Sequence, residues 1–175
     1  MTPQDWTAST RLQDDSLETS AQFDTQLGFQ EKHGLLGIVW SDVFLRAFVN
    51  KKTGETTYQV YFATVTQAGG WPFFNRVNYE MPGGPEAAEL TKVGSDVDCT
   101  ASRYTGCTYT EHVLFSPSRE TLDKVATTYV PNAVSAWKMR LKGQSGQTLD
   151  MFMTPAEVQG LLLAVDGYKA KSGLK

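Results

Sequence analysis

The stretch VWSDVFLRAFVNKKTGETTYQVYFATV, residues 39–65, decides the fold. It holds two runs of alternating side chains, Val39–Val49 and Thr56–Val65, around a short polar loop that ends in glycine. A period of two is typical of a β-strand, and two such runs around a loop with glycine predict a hairpin. A four-residue loop sets a register in which one face is apolar, with Val43, Leu45 and Ala47 opposite Phe62, Val60 and Tyr58.

Further strands are predicted on both sides of this hairpin. The run Leu17–Phe29 alternates cleanly, which is typical of a strand with one face in water. A second hairpin with a three-residue loop sets Met139 opposite Met151 and places Arg140 opposite Asp150 as a cross-strand ion pair. The strands of this second hairpin are Ala136–Lys142 and Gln147–Met153. The other predicted strands are Asn75–Met81, Glu89–Cys99 and Cys107–Phe115.

Two helices are predicted in the second half of the chain. Ser116-Pro117 opens a short one that runs to about Thr127, because serine caps helices and proline fits their first turn. Thr154-Pro155-Ala156-Glu157 has the pattern of a capping box and begins a helix to about Lys171, whose apolar residues form one stripe.

These elements predict an α+β fold. We expect one strongly twisted antiparallel sheet of about six to eight strands in a hairpin meander, with two helices from the C-terminal half covering part of one face. Residues 1–16 are polar and show no period, so they are predicted to be a flexible N-terminal arm. Residues 17–175 are predicted to form a single globular domain.

Composition excludes several classes of function. The formal net charge is −3, so nothing indicates an electrostatic surface for nucleic acid. No run of 18 apolar residues is present, so no membrane span is predicted. The chain has no nucleotide-binding, nucleophile-elbow or zinc-protease motif, and we expect neither a cofactor nor a metal.

The two cysteines bear on the cellular compartment. Cys99 and Cys107 lie eight residues apart, and if their strands pair with Arg103 at the midpoint, the cysteines face each other within reach of a disulfide. Two reduced core cysteines, a redox pair or metal ligands are the alternatives. A metal site would also need His112 and a carboxylate, at a spacing that matches no common zinc pattern. A disulfide favours an oxidising compartment.

Few residues suggest catalysis. Asp96 and Asp98 share one face of a predicted strand and would join Glu111 in a carboxylate cluster if the sheet curves. Two carboxylates are the minimum for a glycosidase-type hydrolase. A solvated acidic face is the simpler interpretation. Glu111 and His112 are adjacent on a strand and therefore point to opposite faces, so they cannot act as a local pair. No catalytic residue is assigned.

An aromatic loop is the strongest candidate for binding. Trp71, Phe73 and Phe74 follow two glycines in a predicted loop, and exposed aromatic side chains often mark binding sites. The alternative is that the loop folds back and plugs one end of the core. Tyr104, beside Arg103 in the cysteine loop, is a second candidate for an exposed binding residue.

The second half of the chain resembles a known type of domain. Cys99, Gly106-Cys107 and Glu111-His112-Val113, followed by a short helix, a hairpin and a capped helix, resemble small uncharacterised bacterial secreted or lipoprotein-type domains. The resemblance implies an extracytoplasmic location and transfers no activity. Residues 1–11 show no signal peptide, so a periplasmic or cell-surface location assumes a leader outside this sequence.

We therefore expect a non-enzymatic extracytoplasmic domain with a structural or binding role. Its partner would be an unknown protein or small-molecule ligand. A hydrolase that uses the carboxylate cluster is one alternative. A cytoplasmic partner-binding protein with free thiols is the other.

Overall fold

The computed structural model describes residues 1–25, 41–67, 70–99 and 106–174. These residues form three helices and ten strands, so the α+β prediction is confirmed. The helices are α1 (Pro3–Ser9), α2 (Arg119–Ala126) and α3 (Pro155–Lys171). The strands are β1 (Arg11–Gln13), β2 (Ser20–Asp24), β3 (Asp42–Asn50), β4 (Thr56–Gln67), β5 (Phe74–Tyr79), β6 (Glu86–Glu89), β7 (Thr91–Asp98), β8 (Thr108–Phe115), β9 (Trp137–Gly143) and β10 (Thr148–Met153).

The strands form two antiparallel sheets in place of the single meander that was predicted. The first sheet has six strands in the order β1-β2-β3-β4-β8-β7, and the second has four in the order β10-β9-β5-β6. The chain leaves the first sheet after β4, builds β5 and β6, and returns for β7 and β8. Alternation of side chains shows which face of a strand is buried but not which sheet the strand joins, so this division was not visible in the pattern.

Both predicted hairpins have the predicted register. Val43 pairs with Phe62 in the first hairpin, and Gly54 in its loop has the left-handed φ of 75° that the turn needs. Met139 pairs with Met151 in the second. Loop length and side-chain alternation agree in both hairpins, and this agreement makes the register readable from sequence.

The core lies between the two sheets and under α2 and α3. The inner faces of both sheets supply it, and Tyr79 stacks on Phe115 with ring centroids 5.2 Å apart, while Trp137 meets both rings edge-on. Along α3, Val158, Leu161, Leu162 and Val165 are buried, as the apolar stripe predicted. No helix in the described ranges is long and apolar enough to cross a membrane.

The N-terminal segment is not the flexible arm that was predicted. Thr2 and Asp5 form a reciprocal capping box for α1, and Trp6 in that helix is only 2% exposed. Trp6 packs over Gly160 of α3, where an added Cβ would lie 2.4 Å from the Trp6 Cβ. Glycine therefore permits the close approach, and a single tryptophan anchors a segment that shows no hydrophobic period.

The start of α2 needs correction, whereas that of α3 differs from the prediction only in the role of one side chain. Helix α2 begins after Ser118, whose side chain accepts from the Thr121 amide, because Ser116-Pro117 still belongs to the connection from β8. Helix α3 begins as predicted, with the Thr154 hydroxyl accepting from the Glu157 amide at 3.2 Å. The Glu157 side chain turns into the core instead of completing the capping box, and accepts from the Thr25 hydroxyl at 2.6 Å.

Candidate functional site

A disulfide closes the hairpin of β7 and β8. Asp98 pairs with Thr108, and one step further Cys99 and Cys107 are joined, with Cα atoms 4.2 Å apart. This Cα separation is typical of a non-hydrogen-bonded pair in an antiparallel ladder. The predicted pairing of the cysteines is thus present, and the bond fixes the end of the hairpin at the edge of the first sheet.

A buried carboxylate on β8 holds the loop that leads into β5. Glu111 is 2% exposed, and its two oxygens accept from the amides of Phe73 and Phe74, each at 3.1 Å. Its backbone carbonyl accepts from the buried Thr64 hydroxyl at 3.1 Å. Charge-assisted bonds of this kind are among the stronger hydrogen bonds in proteins, so Glu111 fixes the loop to the first sheet.

The loop is also fixed to the second sheet. The carbonyl of Pro72 accepts from the Ser145 hydroxyl at 3.1 Å, and the carbonyl of Phe73 accepts from the Gln144 amide at 3.1 Å. A Cβ at Gly143 would lie 2.3 Å from the Pro72 oxygen, so only glycine fits there. The loop therefore bridges the two sheets.

Phe73 has a conformation that the loop must impose. Its φ is 53°, in the left-handed region that a bulky residue avoids, and its side chain is 48% exposed. Strain of this kind costs about 1–3 kcal/mol and persists only where surrounding contacts determine it. The hydrogen bonds to Glu111 fix this backbone conformation, and the aromatic ring of Phe73 is thereby held in solvent.

Phe73 belongs to a surface that we call the aromatic patch, defined by Trp71, Phe73, Val97 and Tyr109. Trp71 meets Tyr109 edge-on with centroids 5.1 Å apart and lies 6.4 Å from Phe73. Val97 is opposite Tyr109 on β7 and is 47% exposed. The Lys92 ammonium lies 5.7 Å from the Trp71 centroid, within cation–π distance.

The sequence-predicted binding residues separate in the structure. Trp71 and Phe73 lie together in the aromatic patch. Phe74 is 5% exposed and packs in the core, so its prediction as a binding residue is wrong. Both alternatives for the loop therefore occur in adjacent residues, because Phe74 packs in the core and Phe73 is exposed. Arg103 and Tyr104 lie outside the described residues.

The predicted carboxylate cluster does not form. Asp96 pairs with Thr110 and Ser95 with Glu111, so Asp96 and Asp98 point to the outer face of the sheet and Glu111 to the inner face. Curvature of the sheet cannot bring opposite faces together. The simpler interpretation, a solvated acidic face, fits the exposed Asp96 and Asp98 but is wrong for Glu111, which is buried.

A separate groove of about 560 Å³ lies on the outer face of the second sheet. Its wall includes Glu80, Lys138, Phe152 and the ion pair of Arg140 and Asp150, with Nε and Oδ1 2.5 Å apart. The bond from Arg140 lowers the pKa of Asp150. The groove thus presents Asp150 as an ionised acceptor and not as a proton donor.

The buried roles of Glu111 and Glu157 were not predicted from the sequence. Glu111 alternates with the buried Val113 and Phe115, so it is an acid at an inward position of an apolar face, and that pattern was the available signal. Burial raises the pKa of Glu157 to about 8, with the charge of Asp42 adding to the rise and the Thr25 hydrogen bond opposing it. For Glu157, the capping-box pattern predicted a side chain that caps the helix and not one that is buried.

No group of three or more histidine, cysteine or acidic residues in the described ranges is arranged to hold a metal ion. Comparison of the chain with protein-family models, with curated proteins and with solved structures finds no match.

Proposed function

We propose that this protein is a non-enzymatic extracytoplasmic binding domain that recognises another protein through the aromatic patch. The observation that carries the proposal is the exposed Phe73 ring on a left-handed backbone, held by a buried carboxylate. A protein that only needed to close its core would do so with Phe74 and would not need its neighbour in solvent.

The composition of the patch suits a protein partner. Interfaces are enriched in tryptophan, tyrosine and phenylalanine, which provide rigid contact area at a low cost in entropy. The backbone of Phe73 is held by the bridge between the sheets, so this residue loses little conformational entropy on binding. The hydrolase alternative loses its motivating cluster, since Asp96 and Glu111 face opposite sides of the sheet.

The proposed compartment rests on the disulfide, which is compatible with an oxidising environment. The resemblance to secreted and lipoprotein-type domains is a hypothesis that points to the same compartment.

We expect the double substitution Cys99→Ser and Cys107→Ser to lower the free energy of unfolding by roughly 2–3 kcal/mol, because it releases a short closed loop. Urea unfolding with and without reductant measures this loss. Two reactive thiols in denatured, unreduced protein recovered from its native cell would contradict the proposed compartment.

Site-specific crosslinking tests the binding role. With p-benzoylphenylalanine in place of Phe73, irradiation of cells that make the protein is expected to yield a discrete adduct with another protein, since this ring is 48% exposed in the proposed contact surface. Electrophoresis and mass spectrometry of the purified adduct identify the partner. Phe152 is the matched control, because it is 56% exposed but lies on the other sheet.

A second variant separates binding from stability. Trp71→Ala in the protein that carries the crosslinker is expected to reduce the adduct at least fivefold while thermal unfolding changes little, because Trp71 is only partly buried. Equal adducts from positions 73 and 152, or an adduct that survives Trp71→Ala, would count against the aromatic patch as the binding surface.

A further inference from the structure

The edge of the first sheet next to the aromatic patch has main-chain groups that point outwards. Within the described ranges, β7 pairs only with β8. Because Cys99 and Cys107 form a non-hydrogen-bonded pair, the alternation of the ladder makes Val97 and Ser95 members of such pairs too. Their N–H and C=O groups therefore point away from β8, towards the open edge.

The side chains of β7 differ between its two faces. Ser95 and Val97 point to the inner face, where Val97 lies opposite Tyr109 within the aromatic patch. Asp96 points to the outer face, is exposed, and has no basic group within 4.0 Å among the described residues. An added strand would thus have an apolar neighbour on one face and an acidic neighbour on the other.

We propose that the partner docks by strand addition: an extended segment with alternating apolar and basic residues pairs antiparallel with β7 along Ser95–Val97. This inference rests on the proposed function and specifies its partner. Main-chain bonds to Ser95 and Val97 supply the affinity of such docking, and the two faces supply its selectivity. Apolar residues opposite Val97 contact the aromatic patch, and basic residues lie beside Asp96.

A second copy of this chain is a poorer occupant of the same edge. Antiparallel pairing of two β7 strands about Val97 sets Asp96 of one copy opposite Asp98 of the other. Like charges directly opposite each other destabilise a strand pair. The register break between Lys92 and Gly94 also limits pairing to the end of the strand that carries the acidic residues, which protects the edge against indiscriminate association.

Amide hydrogen exchange with the synthetic peptide acetyl-Lys-Val-Lys-Ile-Lys-Val-amide tests the docking mode in the intact protein. At saturation, exchange of the Ser95 and Val97 amides is expected to slow at least tenfold, because both become donors to the added strand. The Asp96 amide already faces β8 and is the internal control. Replacing lysine by glutamate in the peptide is expected to weaken binding at least tenfold.

N-methylated peptides provide a second measurement that leaves the protein unaltered. Residues opposite Ser95 and Val97 are the apolar ones, so methylation of the Val and Ile nitrogens is expected to abolish binding while methylation of the Lys nitrogens is tolerated. Equal effects of the two methylations, or unchanged exchange at Ser95 and Val97, would overturn strand addition. So would protection of these amides that depends on protein concentration without peptide, since a second copy would then occupy the edge.

The two proposals fail separately. Loss of the adduct specific to position 73 removes the aromatic patch as the binding surface. A normal adduct together with a negative exchange experiment leaves the patch and removes only the strand addition.

Discussion

Replacing Glu157 by glutamine is expected to remove a pH dependence of several kcal/mol from the stability of this protein. Burial raises the pKa of this carboxyl from 4.5 to about 8 in the folded state. The folded protein therefore retains a proton that the unfolded chain releases at neutral pH. Each pKa unit corresponds to about 1.4 kcal/mol, so Glu157 changes the free energy of unfolding by roughly 4–5 kcal/mol across this interval.

The direction of this change follows from the raised pKa. The contribution of Glu157 is fully present below pH 4.5, falls as the pH rises, and is lost once the pH passes about 8. Glutamine has no proton to lose, and its carbonyl oxygen can still accept from the Thr25 hydroxyl that now bonds to Glu157. The stability of Glu157→Gln relative to the wild type is thus expected to rise by about 1.4 kcal/mol per pH unit between those limits.

Urea unfolding at pH 5, 6, 7, 8 and 9 measures this difference. Glu120→Gln is the control, because Glu120 also lies in the first turn of a helix but is exposed and paired with Lys124. Stability curves of Glu157→Gln and the wild type that run parallel from pH 5 to pH 8 would show that the buried carboxyl does not hold its proton.

Glu111→Gln is expected to lower the free energy of unfolding by about 2–4 kcal/mol, with the loss centred on the aromatic loop. An amide has a single acceptor oxygen, so its NH₂ group must face one of the two backbone amides that the carboxylate now satisfies. A buried donor without an acceptor costs about 1–3 kcal/mol, and the remaining bond loses its charge assistance. The strain at Phe73 would then be opposed by fewer contacts.

Two measurements localise the effect of Glu111→Gln. Urea unfolding gives the total loss, and amide exchange is expected to accelerate at Phe73 and Phe74 more than at the paired strand residue Val77. Glu89→Gln is the control, since Glu89 is an exposed strand glutamate. Uniform acceleration across the sheet, or a loss of stability no larger than that of Glu89→Gln, would mean that the carboxylate does not hold the loop.

Local rules were enough to predict most strands and both hairpin registers. In the hairpin of β9 and β10, alternation and loop length together excluded other registers, and the Arg140–Asp150 pair lies where it was predicted. The division into two sheets was not predictable in this way. It depends on where the chain leaves β4, and the alternation in β5 and β9 identifies a buried face but not the sheet that the strand joins.

The candidate site was predicted only in part, because its geometry depends on contacts distant in sequence. Trp71 and Phe73 were identifiable as an aromatic loop. Which of the two adjacent phenylalanines enters the core is decided by the left-handed backbone at Phe73, and that conformation depends on Glu111, almost forty residues away. The Glu157 pattern was misleading for the same reason, since a distant hydroxyl at Thr25 competes for its side chain.

The docking of Trp6 beside Gly160 has a consequence during synthesis of the protein. Helix α1 receives its packing partner only when α3 has left the ribosome, because α1 packs on α3. At 5–20 residues per second, Trp6 waits about ten to thirty seconds without its native contact. Docking of α1 is therefore expected to be a late step of folding, and chaperones can engage the exposed Trp6 until α3 has been made.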